Sequence, residues 1–312
     1  MLCLFRINKR NTLVMKRLPK QVGGLSCNPN SVKYYVETCS PQWIRVVSEI
    51  KKARDKRDID IQRNYAKGTM QQSAVVIKIG DSPDMDREYR AAQHVKTFKG
   101  FVKFLCFFTC NDDFREFFKG QRLTICKGPG STMKVIVMPY FPLGSIAGFP
   151  WTSDNILGLR SCLYVACLCY IDAFMKKQFI HNDFHAANIL LKSSKQSTLT
   201  FSGGTTVPLH NIRPWIVDFE NSSIASTLSA KDYEDFRYDI SKLFYMLPTL
   251  VPQVDRSRIM NIVTFFQNAR DICSDEARMQ LGSLIDANVH IDNARLVSMI
   301  SNSREAPSIQ KH

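Results

Sequence analysis

No two of the ten cysteines stand in a C-x-x-C pair, so the sequence offers neither a zinc-ribbon nor a thioredoxin-type redox motif. Cys162, Cys167 and Cys169 fall in one apolar segment, and Cys106 and Cys110 flank aromatic residues. That placement predicts buried free thiols in a reducing compartment. Long apolar runs are also missing. The longest uncharged one, Cys162 to Ile171, has ten residues, well short of the roughly 20 that a membrane-spanning helix needs. The first residues, MLCLFRINKR, hold too few apolar side chains before Arg6 for a signal-peptide core. These absences predict a soluble intracellular chain, cytoplasmic or nuclear, with no membrane insertion. Glycine is absent from Trp43 to Tyr65, which removes there the residue that lets backbone amides approach a phosphate closely.

With 312 residues, 45% of them hydrophobic, the chain can bury a sizeable core in one or two domains. Its formal charge is +14, and Lys51, Lys52, Arg54, Lys56 and Arg57 crowd one short stretch. Two readings stand for that cluster: a solvated helix face, or a surface for chromatin or another acidic partner. No aromatic pattern typical of RNA binding accompanies it.

The most informative stretch is FIHNDFHAANILL, Phe179 to Leu191. Its H-x-D-x-x-x-x-N spacing, set by His181, Asp183 and Asn188, lies between two apolar runs. A phosphoryl-transfer loop requires one carboxylate to reach the acceptor hydroxyl and one amide oxygen to hold a metal ion on the triphosphate. A polar loop joining a buried helix to a strand would carry the same residues by accident, so the flanking chain has to discriminate.

Residues 1–30 read as a basic, irregular N-terminal extension with turn signals at Gly23-Gly24 and Asn28-Pro29. Short apolar runs from Val32 to Val47 suggest strands. SAVVIKI, Ser73 to Ile79, alternates as a strand, with Ala74, Val76 and Lys78 on one side and Val75, Ile77 and Ile79 on the other. A lysine on an apolar face needs an anionic partner. The next element, a helix expected over Asp86 to Phe98, carries Glu88 on the stripe of Ala91, Ala92 and Val95. Phe101 to Phe108 and Val135 to Met138 suggest further strands, the second running into Pro139-Tyr140-Phe141-Pro142-Leu143-Gly144 as a hinge. Asn155 to Phe179 is apolar on nearly every side and predicts a central buried helix. After the loop, QSTLTF and TTVPL around Ser202-Gly203-Gly204 predict a β-hairpin insertion over about 192–213. PWIV then runs into Asp218-Phe219-Glu220, a strand end that presents a carboxylate. DYEDFRYDISKLFYML, from Asp232, is amphipathic, and its Asp239 reads by itself as a helix cap. Two helical patterns, around Ile259-Val263-Phe266 and Leu281-Leu284, precede a polar tail.

From VVIKI (75–79) to YDISKLF (238–244), roughly half of the chain, the sequence resembles the protein-kinase-like superfamily. Within it the chain is most similar to the haspin-type atypical serine/threonine kinases. His185 stands where ordinary protein kinases have Lys, as in haspin-type loops; a hairpin insertion follows; the metal motif is DFE rather than DFG; and no A-P-E follows. The chain is far more compact than cellular haspins, as a divergent or virus-borne lineage would be.

The resemblance implies an α+β, two-lobed protein-kinase-like fold. Residues 31–142 would form a small β-rich N-lobe up to the hinge, and residues 143–312 a mostly helical C-lobe. It implies an ATP- and Mg2+-dependent serine/threonine protein kinase, with Asp183 as base and Lys78 and His185 as the other catalytic groups. Lys78 and Glu88 would hold the phosphates, with Val76, Met138, Tyr140 and Phe141 around the adenine. Asn188 and Asp218 would ligate magnesium, and His181 and Asp239 would support the loop. The acceptor would be a protein, such as a basic or histone-like tail, and the enzyme a monomer. Two other readings share these residues: a small-molecule phosphotransferase of the aminoglycoside or choline type, and a pseudokinase scaffold, favoured by the missing glycine-rich loop.

Overall fold

The computed structural model describes residues 6–7, 13–14, 44–46, 65–70, 73–80, 82–109, 133–268 and 273–291. The basic cluster at 51–57, most of the glycine-free stretch from Trp43 to Tyr65 and the polar tail lie outside these residues. The protein is α+β, and the chain divides into two compact units. One comprises Met1–His94 and Lys103–Tyr140, the other Val95–Val102 and Phe141–His312.

In the extension expected to be irregular, β1 (Arg6–Ile7) pairs antiparallel with β2 (Leu13–Val14). The main sheet of the first unit contains β3 (Ile44–Val46), β4 (Tyr65–Met70), β5 (Ser73–Gly80), β6 (Cys106–Thr109) and β7 (Lys134–Pro139), in the order β3-β4-β5-β7-β6. β5 is central and antiparallel to both neighbours, with Lys78 opposite Ile136 on β7 and Val76 opposite Met138. Val75, Ile77 and Ile79 are buried, as alternation requires. Helix α1 (Ser82–Val95) follows directly. Pro83 in its first turn has a preset backbone and lacks an N–H that would go unused there, and Asp84 complements the helix dipole. Its buried stripe in this unit is Met85, Glu88, Tyr89 and Ala92. Tyr89 stacks on Phe107 at 4.3 Å, and Asp86 pairs with Lys134 at 2.6 Å.

Only the second half of the strand expected over Phe101–Phe108 forms. Phe101 and Val102 are buried in the second unit instead, where Phe101 bridges Ile216 and the Val102 amide donates to the Ile216 carbonyl. Cys106 is disulfide-bonded, contrary to the expectation of buried free thiols. It opens β6, an edge strand of the sheet. Cys162, Cys167 and Cys169 are free and buried. Burial pushes all three thiols far up, which leaves them unreactive at neutral pH.

The second unit is built on helix α2 (Ile156–Lys177), buried almost continuously from Gly158 to Phe174. By length and composition Ser153–Lys177 could cross a membrane, but 78% of its apolar window is buried within the protein, which makes it a core helix. Gln178 ends it in the left-handed conformation, its N–H capping the Phe174 carbonyl. The chain then enters β8 (Phe179–Ile180), the loop His181–Asn188, and β9 (Ile189–Ser193). The hairpin β10 (Thr198–Thr200) and β11 (Thr206–Pro208) is nested inside a second antiparallel pair, β9 with β12 (Ile212–Ile216). The insertion is therefore shorter than expected, because Lys192, Ser193, Ile212 and Arg213 belong to the outer pair. β13 (Ser223–Ile224) returns to pair with β8. Helices α3 (Ala230–Leu250), α4 (Arg256–Asn268) and α5 (Asp275–Asn288) complete the unit. Phe244 stacks on Phe266 across α3 and α4, and α5 is tied to α2 by a buried Arg278–Asp172 pair at 2.8 Å.

Candidate active site

The loop His181–Asn188 is held from beneath by one carboxylate. Asp239, 1% exposed, accepts hydrogen bonds from the Asn182 amide at 2.7 Å, the Phe184 amide at 3.0 Å and the Tyr170 hydroxyl at 2.7 Å. The Tyr170 hydroxyl oxygen in turn accepts from the His181 amide at 2.9 Å. Asp239 is not a cap. It lies in the third turn of α3, whose N-terminus is closed by Ser229 and Asp232 in a capping box. Around this anchor pack the fully buried rings of Phe179, Phe184, Phe219 and Phe236, with Tyr170 against Phe184 at 4.7 Å and against Phe236 at 4.8 Å. A polar loop fixed by a buried carboxylate and walled by aromatics has little freedom to rearrange.

His181 is fully buried. Its Nε2 donates to the Val217 carbonyl at 2.9 Å, and Nδ1 has no partner among the described residues. Burial lowers its pKa, although the nearby carboxylates of Asp239, Asp218 and Asp183 oppose the shift. A buried neutral histidine makes a definite contribution to stability. Below about pH 6.5 the unfolded ring takes up a proton that the folded ring resists. The contribution is therefore complete above that pH and is lost as pH falls. Urea midpoints of the wild type and of His181→Gln should converge between about pH 7.5 and 5.5; parallel curves would contradict this.

Asp183 rises from the clamped loop at the side-chain level. Its Oδ1 accepts from Lys242 Nζ at 2.6 Å; its Oδ2 faces the Asn188 amide nitrogen at 3.2 Å and His185 Nε2 at 3.4 Å. Burial pushes this carboxyl up. The Lys242 hydrogen bond, with His185 and the Lys242 charge beside it, outweighs burial and holds it below the usual carboxylate range. Asp183 is thus ionised at neutral pH. His185 Nδ1 accepts from the Ala187 amide, which assigns the ring proton to Nε2, facing Asp183.

Strand register brings the backbones of Asn188 and Val217 together. Ile189 pairs with Ile216, and the Val217 amide donates to the Asn188 carbonyl at 3.0 Å, so Asn188 lies opposite the residue that precedes Asp218. The Asn188 amide nitrogen is used twice, on the Asp183 backbone and side chain. Its amide oxygen has no protein donor among the described residues. Asp218 has φ +66, a left-handed conformation that Asp tolerates better than most residues and that tends to occur at functional positions. A carboxylate and an unengaged amide oxygen are the hard oxygen donors that magnesium prefers.

Lys78 and Glu88 meet within the first unit, Nζ to Oε2 at 2.9 Å, with side chains 6% and 1% exposed. Val76 is half-buried and Met138 buried on the paired strands β5 and β7. The division between units falls between Tyr140 and Phe141, and a turn closed by the Gly144 amide on the Phe141 carbonyl follows, with Gly144 at φ +72.

Two members of the site are absent from the sequence reading: Tyr170 and Lys242. A lone tyrosine hydroxyl on the apolar helix α2 does need a partner, and Lys242 lies at i+3 from Asp239 on the same helix face. Those were the available signals. Comparison with protein-family models and with curated proteins finds no match for this chain.

Proposed function

We propose that the chain is a magnesium- and ATP-dependent serine/threonine protein kinase with a two-lobed kinase-like fold, resembling the haspin type. The observation that carries this reading is the loop itself. One buried carboxylate, Asp239, fixes the backbone that presents an ionised Asp183, and strand register brings Asn188 opposite Val217, the residue before Asp218. Phosphoryl transfer asks the protein for positioning and charge placement more than for covalent chemistry.

In this reading Asp183 aligns the acceptor hydroxyl and receives its proton. Asn188 and Asp218 would hold magnesium, which when bound neutralises charge on the triphosphate. Lys78, kept in place by Glu88, would bind phosphate oxygens. Val76, Met138, Tyr140 and Phe141 would border the adenine, and His185 would donate from Nε2 beside Asp183. The basic N-terminal third would serve a chromatin or other acidic partner. The class of acceptor decides between a protein kinase and a small-molecule phosphotransferase. With labelled ATP, the protein should phosphorylate a basic peptide mixture and leave amino-alcohol metabolites unlabelled; the reverse pattern would replace the protein acceptor by a metabolite.

The segment after Asp218 supports activity without prior phosphorylation. Asn182, where an arginine would pair with a phosphate, donates its amide to the Asn221 carbonyl at 2.8 Å and the Ser223 hydroxyl at 3.1 Å. The β13–β8 pair and the Ala225 amide on the Gln178 carbonyl hold the same segment. Neutral hydrogen bonds thus do what an arginine–phosphate pair does in switched loops. Phosphatase treatment should leave the transfer rate unchanged, and loss of the rate on treatment would contradict this.

A further inference from the structure

Phosphoryl transfer spreads negative charge over the oxygens of the moving group, and a carboxylate base beside it adds repulsion unless a fixed cation compensates. Lys242 is the cation that the second unit sets on Asp183. Its Nζ lies 2.6 Å from Oδ1, and its side chain is 24% exposed. Asp183 is its hydrogen-bond partner among the described residues, so two of its three N–H donors remain for solvent. Lys242 follows Asp239 by one helical turn of α3. The same stretch of helix therefore clamps the loop backbone through Asp239 and the loop's carboxylate through Lys242. On the opposite oxygen, Oδ2, the Asn188 amide nitrogen lies at 3.2 Å and His185 Nε2 at 3.4 Å.

We propose that Lys242 is a positioning residue of the transfer step, holding Oδ1 of Asp183 so that Oδ2 meets the acceptor hydroxyl and offsetting the charge this carboxylate sets against the triphosphate. The inference rests on the kinase reading above. In the step, the hydroxyl proton passes to Asp183 Oδ2 and the acceptor oxygen forms the new bond to the γ-phosphorus. The bond from that phosphorus to the bridging oxygen breaks, and its electron pair leaves on ADP. Lys242 stays protonated and forms no covalent bond.

The test is equilibrium binding of Mg-ADP to the full chain, with and without aluminium fluoride, an anionic mimic of the transferring group. In the wild type, fluoride and aluminium should tighten ADP binding. In Lys242→Met that tightening should fall by about tenfold or more, with affinity for Mg-ADP alone unchanged, and Lys242→Arg should restore part of it. Lys242→Gln, which keeps a hydrogen-bond donor, serves the same comparison if the Met variant melts early. Because Lys242 acts through Asp183, adding Lys242→Met to Asp183→Asn should cause no further loss. Undiminished tightening in Lys242→Met and Lys242→Gln, or an equal further loss in the Asp183→Asn background, overturns the proposal and leaves the kinase reading intact. A wild-type chain that binds no Mg-ADP overturns both.

Discussion

Asp183→Asn is expected to lower kcat for phosphate transfer by roughly 10²- to 10⁴-fold, the range for loss of a positioned general base. The KM for ATP should stay nearly constant, because the change removes proton acceptance and leaves the nucleotide-binding groups in place. The amide retains the size of the carboxylate, and its oxygen can still accept from Lys242. The other position then sets an NH2 against two donors, the Asn188 amide at 3.2 Å and His185 Nε2 at 3.4 Å. That mismatch should cost only about 1 kcal/mol of stability. A steady-state rate within about threefold of the wild type would remove Asp183 from the chemistry.

The second large effect falls on stability. Asp239→Ala would strip three donors at once of their acceptor, the amides of Asn182 and Phe184 and the hydroxyl of Tyr170, in a setting where Asp239 is 1% exposed. Each orphaned buried donor costs about 1–3 kcal/mol, so a loss of about 3–5 kcal/mol is expected once the loop relaxes. For a unit of this size that corresponds to a fall in Tm of about 10 °C. Asp239→Asn keeps one acceptor oxygen and should lose roughly half as much. Melting curves of the two variants, followed by the near-ultraviolet signal of the aromatics around the loop, separate these cases. A Tm unchanged in Asp239→Ala would mean that the loop is held by its aromatic walls alone.

Local pattern carried much of this architecture. The alternation of Val75, Ile77 and Ile79 sets three buried apolar side chains on one face of β5, and the unbroken apolar character of α2 matches a helix buried from Gly158 to Phe174. The paired TLT and TVP segments form the hairpin expected around Gly203. Phe101–Val102 misled the reading because an apolar run reports burial and not its partner, and here the partner is β12 rather than the sheet. The supports of the loop were least visible. Tyr170 reaches Asp239 across a sequence separation of 69, and Lys242 reaches Asp183 across 59. No window of local periodicity spans such distances; only the topology that brings α2 and α3 to the same loop reveals them. Lys242 also reads as an ordinary polar position on an amphipathic helix until Asp183 is seen opposite it. The same holds for Asn188, which the β9–β12 register brings opposite Val217, the residue before Asp218.

The most direct test of the account is to incubate the full chain with γ-labelled ATP, magnesium and a serine- and threonine-containing peptide array, and then to map the label by fragmentation. The account predicts acid-stable label on serine or threonine hydroxyls, dependent on magnesium and reduced to background in Asp183→Asn. Label found only as free phosphate, or in equal amounts from the wild type and Asp183→Asn, would contradict it.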